Sequence, residues 1–308
     1  MSAAIDKLLS VMIGLVSCLS AVTFAFLIYR ISARQFRQTT LDTAIIWSVI
    51  AMTACTVVWF VDTAFALVKP GAGDLMWYVV SILLLCPPIA VLGAKRPGVR
   101  VWNVFILLPL VLVFTWPALA DGRSALRNGA FEIETPMVLG YFLVLIMGVG
   151  NYLGTRSTLV ALQVLGGAGL LIFRSTTMFS AELFQFIHFV AVTMLMLGAA
   201  QIAVQSDQPT SKDLGYDRVW LDFRDWFGIV WSRRVQERVN DTAAKEKWIA
   251  RLEHHGFVWD NEASEEQIAE TNERINHTMR WLLRRFVDDP WIDERLNEEN
   301  VERVKSPA

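Results

Sequence analysis

Five polar side chains in the apolar part of the sequence are the residues that could support chemistry inside a membrane. Asp62 lies in the second apolar run, Arg174 ends the sixth, and Glu182, Gln185 and His188 follow at three-residue steps in the seventh. Steps of three keep side chains within one sector of a helix. Ionisable groups are costly in hydrocarbon, so each is a functional candidate. We predict that they converge on one outward-facing pocket.

Two interpretations of this polar set stay open. In the first, it lines a cavity that binds a small ligand, an ion or a proton. In the second, Asp62 and Arg174 pair to hold helices together while Glu182 reaches the interface, because polar side chains commonly join helices and long charged ones extend towards headgroups.

The sequence predicts no cofactor and no metal site. His188 is the only histidine before residue 207, and one histidine cannot supply both axial ligands of a bis-histidine haem. The seventh run has no lysine for a retinal Schiff base. Cys18, Cys55 and Cys86 lie inside apolar runs and are interpreted as small buried hydrophobic residues. No catalytic motif occurs, so enzyme activity is not predicted.

Seven apolar runs position these residues and predict an all-α, polytopic membrane protein. Hydrophobic residues make up 54% of the chain, and mean hydropathy is +0.40. Each run is close to the ~20 residues that cross ~30 Å of hydrocarbon. The glycine-rich sixth run is the shortest. The runs cover residues 8–29, 43–68, 75–94, 101–119, 136–155, 158–173 and 178–204.

Basic residues in alternate loops predict the orientation in the membrane. Lysine and arginine are enriched in cytoplasmic loops. The loops after the first, third and fifth runs are more basic than the loops between them. We therefore expect the N-terminus outside and the C-terminus in the cytoplasm. The residues that carry this prediction are Arg30, Arg34, Arg37, Lys95, Arg96, Arg100 and Arg156.

Charge divides the chain into a membrane domain at 1–206, a linker at 207–215 and a small helical cytoplasmic domain at 216–308. The first part carries 12 basic and 8 acidic residues, whereas 207–308 carries 16 basic and 22 acidic residues. An acidic tail argues against nucleic acid as a partner, because phosphates require a basic surface.

The segment 219–235 is predicted to be an amphipathic helix with a wide, tryptophan-rich apolar face. Aspartates crowd the first half of its polar face, which disfavours simple adhesion to an anionic membrane surface. We expect one edge to pack on a helix at 264–287, and some of the tryptophans to remain available to a partner protein or to the membrane edge. The predicted docking residues are Trp220, Phe223, Trp226 and Trp231.

The remaining tail is also predicted to be helical. A second helix covers 242–255 and stops at Gly256. A third begins with a capping box formed by Ser264 and Gln267, and a last helix has Pro290 in its first turn.

Two segments resemble stretches of uncharacterised planctomycete-type bacterial membrane proteins. They are CPPIAVLGAKRPGVRVWNVFILLPLVLVFTWPAL at 86–119 and DRVWLDFRDWFGIVWSRRVQERVN at 217–240, and they cover under a fifth of the chain. The resemblance implies a bacterial inner-membrane protein and implies no activity.

These observations favour an accessory or assembly subunit of an inner-membrane complex, embedded in the lipid bilayer and docking another protein through its tail. The alternative is a seven-span receptor or transporter that binds a small ligand or ion at the outer polar set.

Overall fold

The computed structural model describes residues 36, 38–64, 70–129, 131–176, 181–207, 215–260 and 264–296. The first predicted span, 8–29, and the basic residues at 30, 34 and 37 lie outside these ranges. The predicted position of the N-terminus therefore stays a prediction.

Helices that alternate in direction form the part of the structure between residues 42 and 207, which we call the membrane part. A π turn at Asn103–Leu107 joins α3 to α4, and a 3-10 turn at Phe173–Ser175 extends α6. The helices are α1 (Asp42–Ala64), α2 (Pro70–Leu92), α3 (Val99–Trp102), α4 (Leu108–Asn128), α5 (Thr135–Gly150), α6 (Thr158–Ile172) and α7 (Ala181–Asp207).

Four helical segments of the described chain are long and apolar enough to cross a membrane. They are Asp42–Asp62, Gly71–Leu92, Val99–Arg127 and Thr158–Ser175, and the last corresponds to the glycine-rich sixth run. The apolar segments Thr135–Gly150 and Phe186–Ile202 are shorter. Seven spans remain a prediction, because the described residues contain four segments of spanning length.

The helix after the third loop is longer than its apolar run. The run ends at 119, but α4 continues to Asn128. There Gly129 adopts the left-handed conformation, with φ of 79°, and its N–H donates to the carbonyl of Ala125. Hydropathy falls when polar residues enter the sequence, whereas the backbone stays helical until a residue can take the C-cap conformation.

The described residues of the tail form three helices and one β-hairpin. These are α8 (Tyr216–Glu246), β1 (Ala250–Glu253), β2 (Gly256–Trp259), α9 (Glu265–Leu283) and α10 (Asp289–Leu296). The capping box is confirmed, with reciprocal hydrogen bonds between Ser264 and Gln267. Pro290 lies in the first turn of α10, as predicted.

The predicted second tail helix at 242–255 is wrong. Helix α8 continues to Glu246 and ends at Lys247, which adopts a left-handed φ of 55°. The chain then turns back as an antiparallel hairpin. Asn240 explains the difference: its Nδ2 donates to the carbonyl of Leu252 at 2.9 Å, and the Leu252 N–H donates to its Oδ1 at 2.9 Å. These tertiary bonds satisfy the backbone of β1 without a helix.

A shared hydrophobic cluster joins the tail to one end of the membrane part. It contains Cys86, Ile89 and Leu107 together with Phe223 and Phe227. A second cluster lies inside the membrane part and contains Cys55. The two described cysteines are buried, as predicted. The tail is therefore packed onto the membrane part by apolar burial, the main source of favourable free energy in folding.

Gly93 determines how the α2–α3 loop packs. A Cβ atom added at Gly93 would lie 2.0 Å from the Cγ atom of Trp102. The indole occupies this space, and its Nε1 donates to the carbonyl of Ile89 at 3.1 Å.

Backbone hydrogen bonds define the two ends of the membrane part. The Thr40 N–H donates to the Phe286 carbonyl at 2.8 Å, and the Arg96 N–H donates to the Arg285 carbonyl at 2.8 Å. We call this the tail-side end. The opposite end, where α1, α4 and α6 finish, is the far end.

Candidate functional site

Arg174 is the centre of a polar cluster at the far end. Its Nε donates to Asp74 Oδ1 at 2.7 Å, and its Nη1 donates to Asp62 Oδ2 at 2.9 Å. The same Nη1 lies 3.2 Å from His188 Nδ1. Trp77 completes what we call the far-end cluster. Its Nε1 donates to Asp62 Oδ2 at 2.9 Å, and its ring stacks on His188 at 4.8 Å between centroids.

Four separate elements bring these side chains together. Asp62 lies in the last turn of α1, whereas Asp74 and Trp77 lie in the first two turns of α2. Arg174 belongs to the 3-10 turn after α6, and His188 lies near the start of α7. Because α1 and α6 end where α2 and α7 begin, residues distant in sequence share one depth.

Gly73 leaves the space that the guanidinium occupies. A Cβ atom at this position would lie 2.9 Å from Arg174 Nη2 and 3.2 Å from Asp62 Oδ1. A larger residue would therefore push Arg174 away from its partners.

The predicted convergence of Asp62, Arg174 and His188 is present. The side chains of Glu182 and Gln185 lie outside the described part of the structure. Sequence reasoning missed Asp74 and Trp77, although their three-residue spacing places both on one face of a helix.

The described side chains of the far-end cluster carry more negative than positive formal charge. It contains two carboxylates and one guanidinium, and each aspartate bonds to described residues through a single oxygen. The next residue, Ser175, is fully buried, and its Oγ has no hydrogen-bond partner among the described residues. Across the described ranges, no three His, Cys, Asp or Glu side chains are placed to hold a metal ion.

The predicted docking residues lie mainly inside the protein. Trp220, Phe223 and Trp231 are 1%, 0% and 7% exposed. Trp226 is partly buried, with its ring edge-on to Phe36 at 4.5 Å between centroids. The Nε1 of Trp231 donates to the carbonyl of Val91 at 3.1 Å, so this helix face docks on the chain's own membrane part.

Asn151 holds α8 at a break in the helix. Gly228, with φ 77° and ψ 179°, interrupts α8, so backbone groups on either side of it lack hydrogen-bond partners within the helix. Asn151 Nδ2 donates to the Phe227 carbonyl at 3.0 Å, and the Val230 N–H donates to Asn151 Oδ1 at 2.9 Å. The Ile229 N–H donates to the Asn151 carbonyl at 2.8 Å. We call these three bonds the Asn151 joint.

Two side chains reinforce the connection beside the Asn151 joint. The Tyr152 hydroxyl donates to the Trp226 carbonyl at 3.3 Å, and the Arg156 N–H donates to Asp225 Oδ1 at 3.2 Å. The loop after α5 is therefore bonded to both sides of the break in α8. Spacing along the sequence contains no signal for these pairs, because their partners lie about 70 to 80 positions away.

Buried ion pairs hold the rest of the tail. Arg295 Nε donates to Asp222 Oδ2 at 2.6 Å, and its guanidinium lies 3.7 Å from the ring centroid of Trp291. Burial lowers the pKa of Arg295, and Asp222 opposes that shift.

Partial burial and, to a smaller extent, the positive charge of nearby Arg224 lower the pKa of His254 in the hairpin turn. His254 is exposed, as is His255 beside it.

Comparison of the chain with protein-family models, with curated proteins and with solved structures gave no match. The function must therefore be argued from the geometry of the far-end cluster and of the tail.

Proposed function

We propose that this chain is a receptor or transporter of a bacterial inner membrane, and that it binds a small organic cation or a proton at the far-end cluster. In this proposal the chain has seven spans, an outside N-terminus and a cytoplasmic tail. The far-end cluster then opens towards the outer leaflet.

The convergence of Asp62, Arg174 and His188 is the observation that carries the proposal. An ion pair that only joins helices requires one carboxylate for one guanidinium, but the far-end cluster holds two carboxylates around Arg174. The second negative charge favours a cation, because uncompensated charge is costly in a membrane interior.

Cation-dependent stabilisation of the purified protein tests this proposal. The unfolding temperature would be measured in detergent with choline, ethanolamine or sodium chloride, and across pH 5 to 8. A ligand that binds the folded state raises the unfolding temperature according to its concentration and affinity. We expect at least one cation, or the proton, to produce a saturable rise that Asp62→Asn abolishes.

Asp42→Asn is the matched control, because it removes the same charge from the other end of α1. This variant should keep the full cation response. The proposal fails if no cation raises the unfolding temperature of the wild-type protein, or if Asp62→Asn keeps the response. The far-end cluster would then serve only to hold the helices together.

An accessory subunit that docks a protein on its tail is the second proposal. The hairpin supports it, because Val258 is 53% exposed on its outer face. The face of α8 is unavailable for this role, since it is covered by the membrane part. A companion protein that co-purifies at constant stoichiometry and is lost in Val258→Asp would support docking; Ala269→Asp, which adds the same charge at an exposed position of α9, is the control.

A further inference from the structure

A cationic surface lies where the tail meets the loop between α2 and α3. The Arg96 N–H donates to the Arg285 carbonyl at 2.8 Å, which brings the two basic segments together. At the same junction, Lys95 Nζ and Arg234 Cζ lie over the Trp231 ring, 5.7 Å and 5.0 Å from its centroid. We define the basic surface as Lys95, Arg96, Arg100, Arg234, Arg284 and Arg285, together with Trp281.

Three of these cations have no acidic partner among the described residues. Arg96 pairs with Asp288 at 2.7 Å. Arg100, Arg284 and Arg285 are exposed and form no ion pair with any residue that the structure describes. Several unpaired positive charges in one place create a local potential that attracts anions.

The basic surface lies at the depth of lipid headgroups. The loop 93–98 connects the candidate spans Gly71–Leu92 and Val99–Arg127, so it must emerge at the membrane surface. Arg285 is bonded to this loop through its backbone. Trp281 lies four residues earlier in α9, about 6 Å along the helix.

Trp281 gives the surface an aromatic centre. Its side chain is 47% exposed, although every other tryptophan named above in the tail core is largely buried. The guanidinium carbons of Arg284 and Arg285 lie 5.5 Å and 5.7 Å from its ring centroid. Exposed tryptophan beside arginine is typical of side chains that contact the membrane interface.

We propose that the basic surface binds the phosphate groups of anionic phospholipids in the leaflet next to the tail. Arginine donates several hydrogen bonds in a fixed plane that matches phosphate oxygens. The residues 207–308 are acidic overall, so this basic surface differs from the rest of the tail in the sign that would draw it to an anionic leaflet. The interaction is independent of the far-end cluster, which lies at the opposite end of the helices.

Titration of the purified full-length protein with short-chain phosphatidylglycerol tests the proposal. The unfolding temperature in neutral detergent would report binding, with short-chain phosphatidylcholine and glycerol 3-phosphate as comparison ligands. Each arginine near an anionic surface contributes about a fivefold change in affinity. We therefore expect Arg284→Gln with Arg285→Gln to weaken phosphatidylglycerol binding about 25-fold.

Lys245→Gln with Lys247→Gln is the matched control, because both lysines are exposed and lie near the end of α8, roughly 16 Å or more along the helix from Arg234 of the basic surface. The control should keep the wild-type affinity. The proposal is overturned if the lipids bind equally, if the control loses as much affinity, or if glycerol 3-phosphate binds as well as phosphatidylglycerol. Loss of a co-purifying protein with unchanged lipid affinity would instead make this a protein-docking surface.

Discussion

Replacement of Asn151 by alanine should detach the tail from the membrane part. The substitution removes two side-chain hydrogen bonds of the Asn151 joint, which leaves the Phe227 carbonyl and the Val230 N–H without their partner. A buried polar backbone group without a partner costs about 1–3 kcal/mol. The two groups together predict a loss of about 2–6 kcal/mol. The Ile229 bond to the Asn151 backbone can survive the change.

The lost free energy should weaken the contact between the tail and the membrane part rather than the folding of either part alone. A protease site inserted in the linker 207–215 would allow the covalent connection to be cut in membranes. In the wild-type protein, the shared hydrophobic cluster and the Asn151 joint should keep the cleaved tail bound. Asn151→Ala should weaken this attachment about thirtyfold or more, since 1.4 kcal/mol corresponds to tenfold. The fraction of tail recovered in the supernatant measures the effect.

Asn240→Ala is the matched control. Asn240 makes the same pair of amide bonds to a backbone, but its partner is Leu252 within the tail. This variant should lower the stability of the tail and leave its attachment unchanged. The reasoning is refuted if Asn151→Ala releases no more tail than the wild type, or if Asn240→Ala releases as much.

Three further substitutions test separate contacts, each by the change in the free energy of unfolding in detergent. Arg174→Gln leaves two carboxylates without their cation and should cost about 3–5 kcal/mol, so an unchanged stability would contradict the ion-pair geometry. Asp222→Asn removes the charged partner of buried Arg295 and should cost a similar amount, whereas a stable variant would mean that Arg295 finds other acceptors. Gly93→Ala drives a Cβ into the neighbouring indole and should cost about 1–3 kcal/mol, while Gly98→Ala, which meets only a backbone oxygen at 3.5 Å, should be tolerated.

The far-end cluster shows how far polar residues in apolar runs can be interpreted. Because charge inside hydrocarbon is costly, Asp62, Arg174 and His188 stood out before any fold was known. Hydropathy also placed them at a common depth. Hydropathy could not indicate that Asp74 and Trp77 belong to the far-end cluster, because a residue near a span end is equally suited to contact headgroups, a loop or a neighbouring helix.

The tail shows the opposite case. Local signals determine where two of its helices begin, because a capping box at Ser264 and a proline at 290 act within one turn. The predicted helix at 242–255 is wrong over β1, since the bonds that favour the strand come from Asn240, twelve residues before Leu252. Local propensity is weak enough for such tertiary bonds to override it.

The sequence by itself determined that the segment 219–235 has a wide apolar face that must be covered. Only the tertiary structure decided what covers it. Periodicity specifies which side chains avoid water, but a partner protein and the end of the chain's own helices offer the same apolar chemistry. The choice depends on directional hydrogen bonds, those of Asn151 to the break at Gly228 and of Trp231 to Val91, which join residues about 80 and 140 positions apart. No pattern within one segment encodes them.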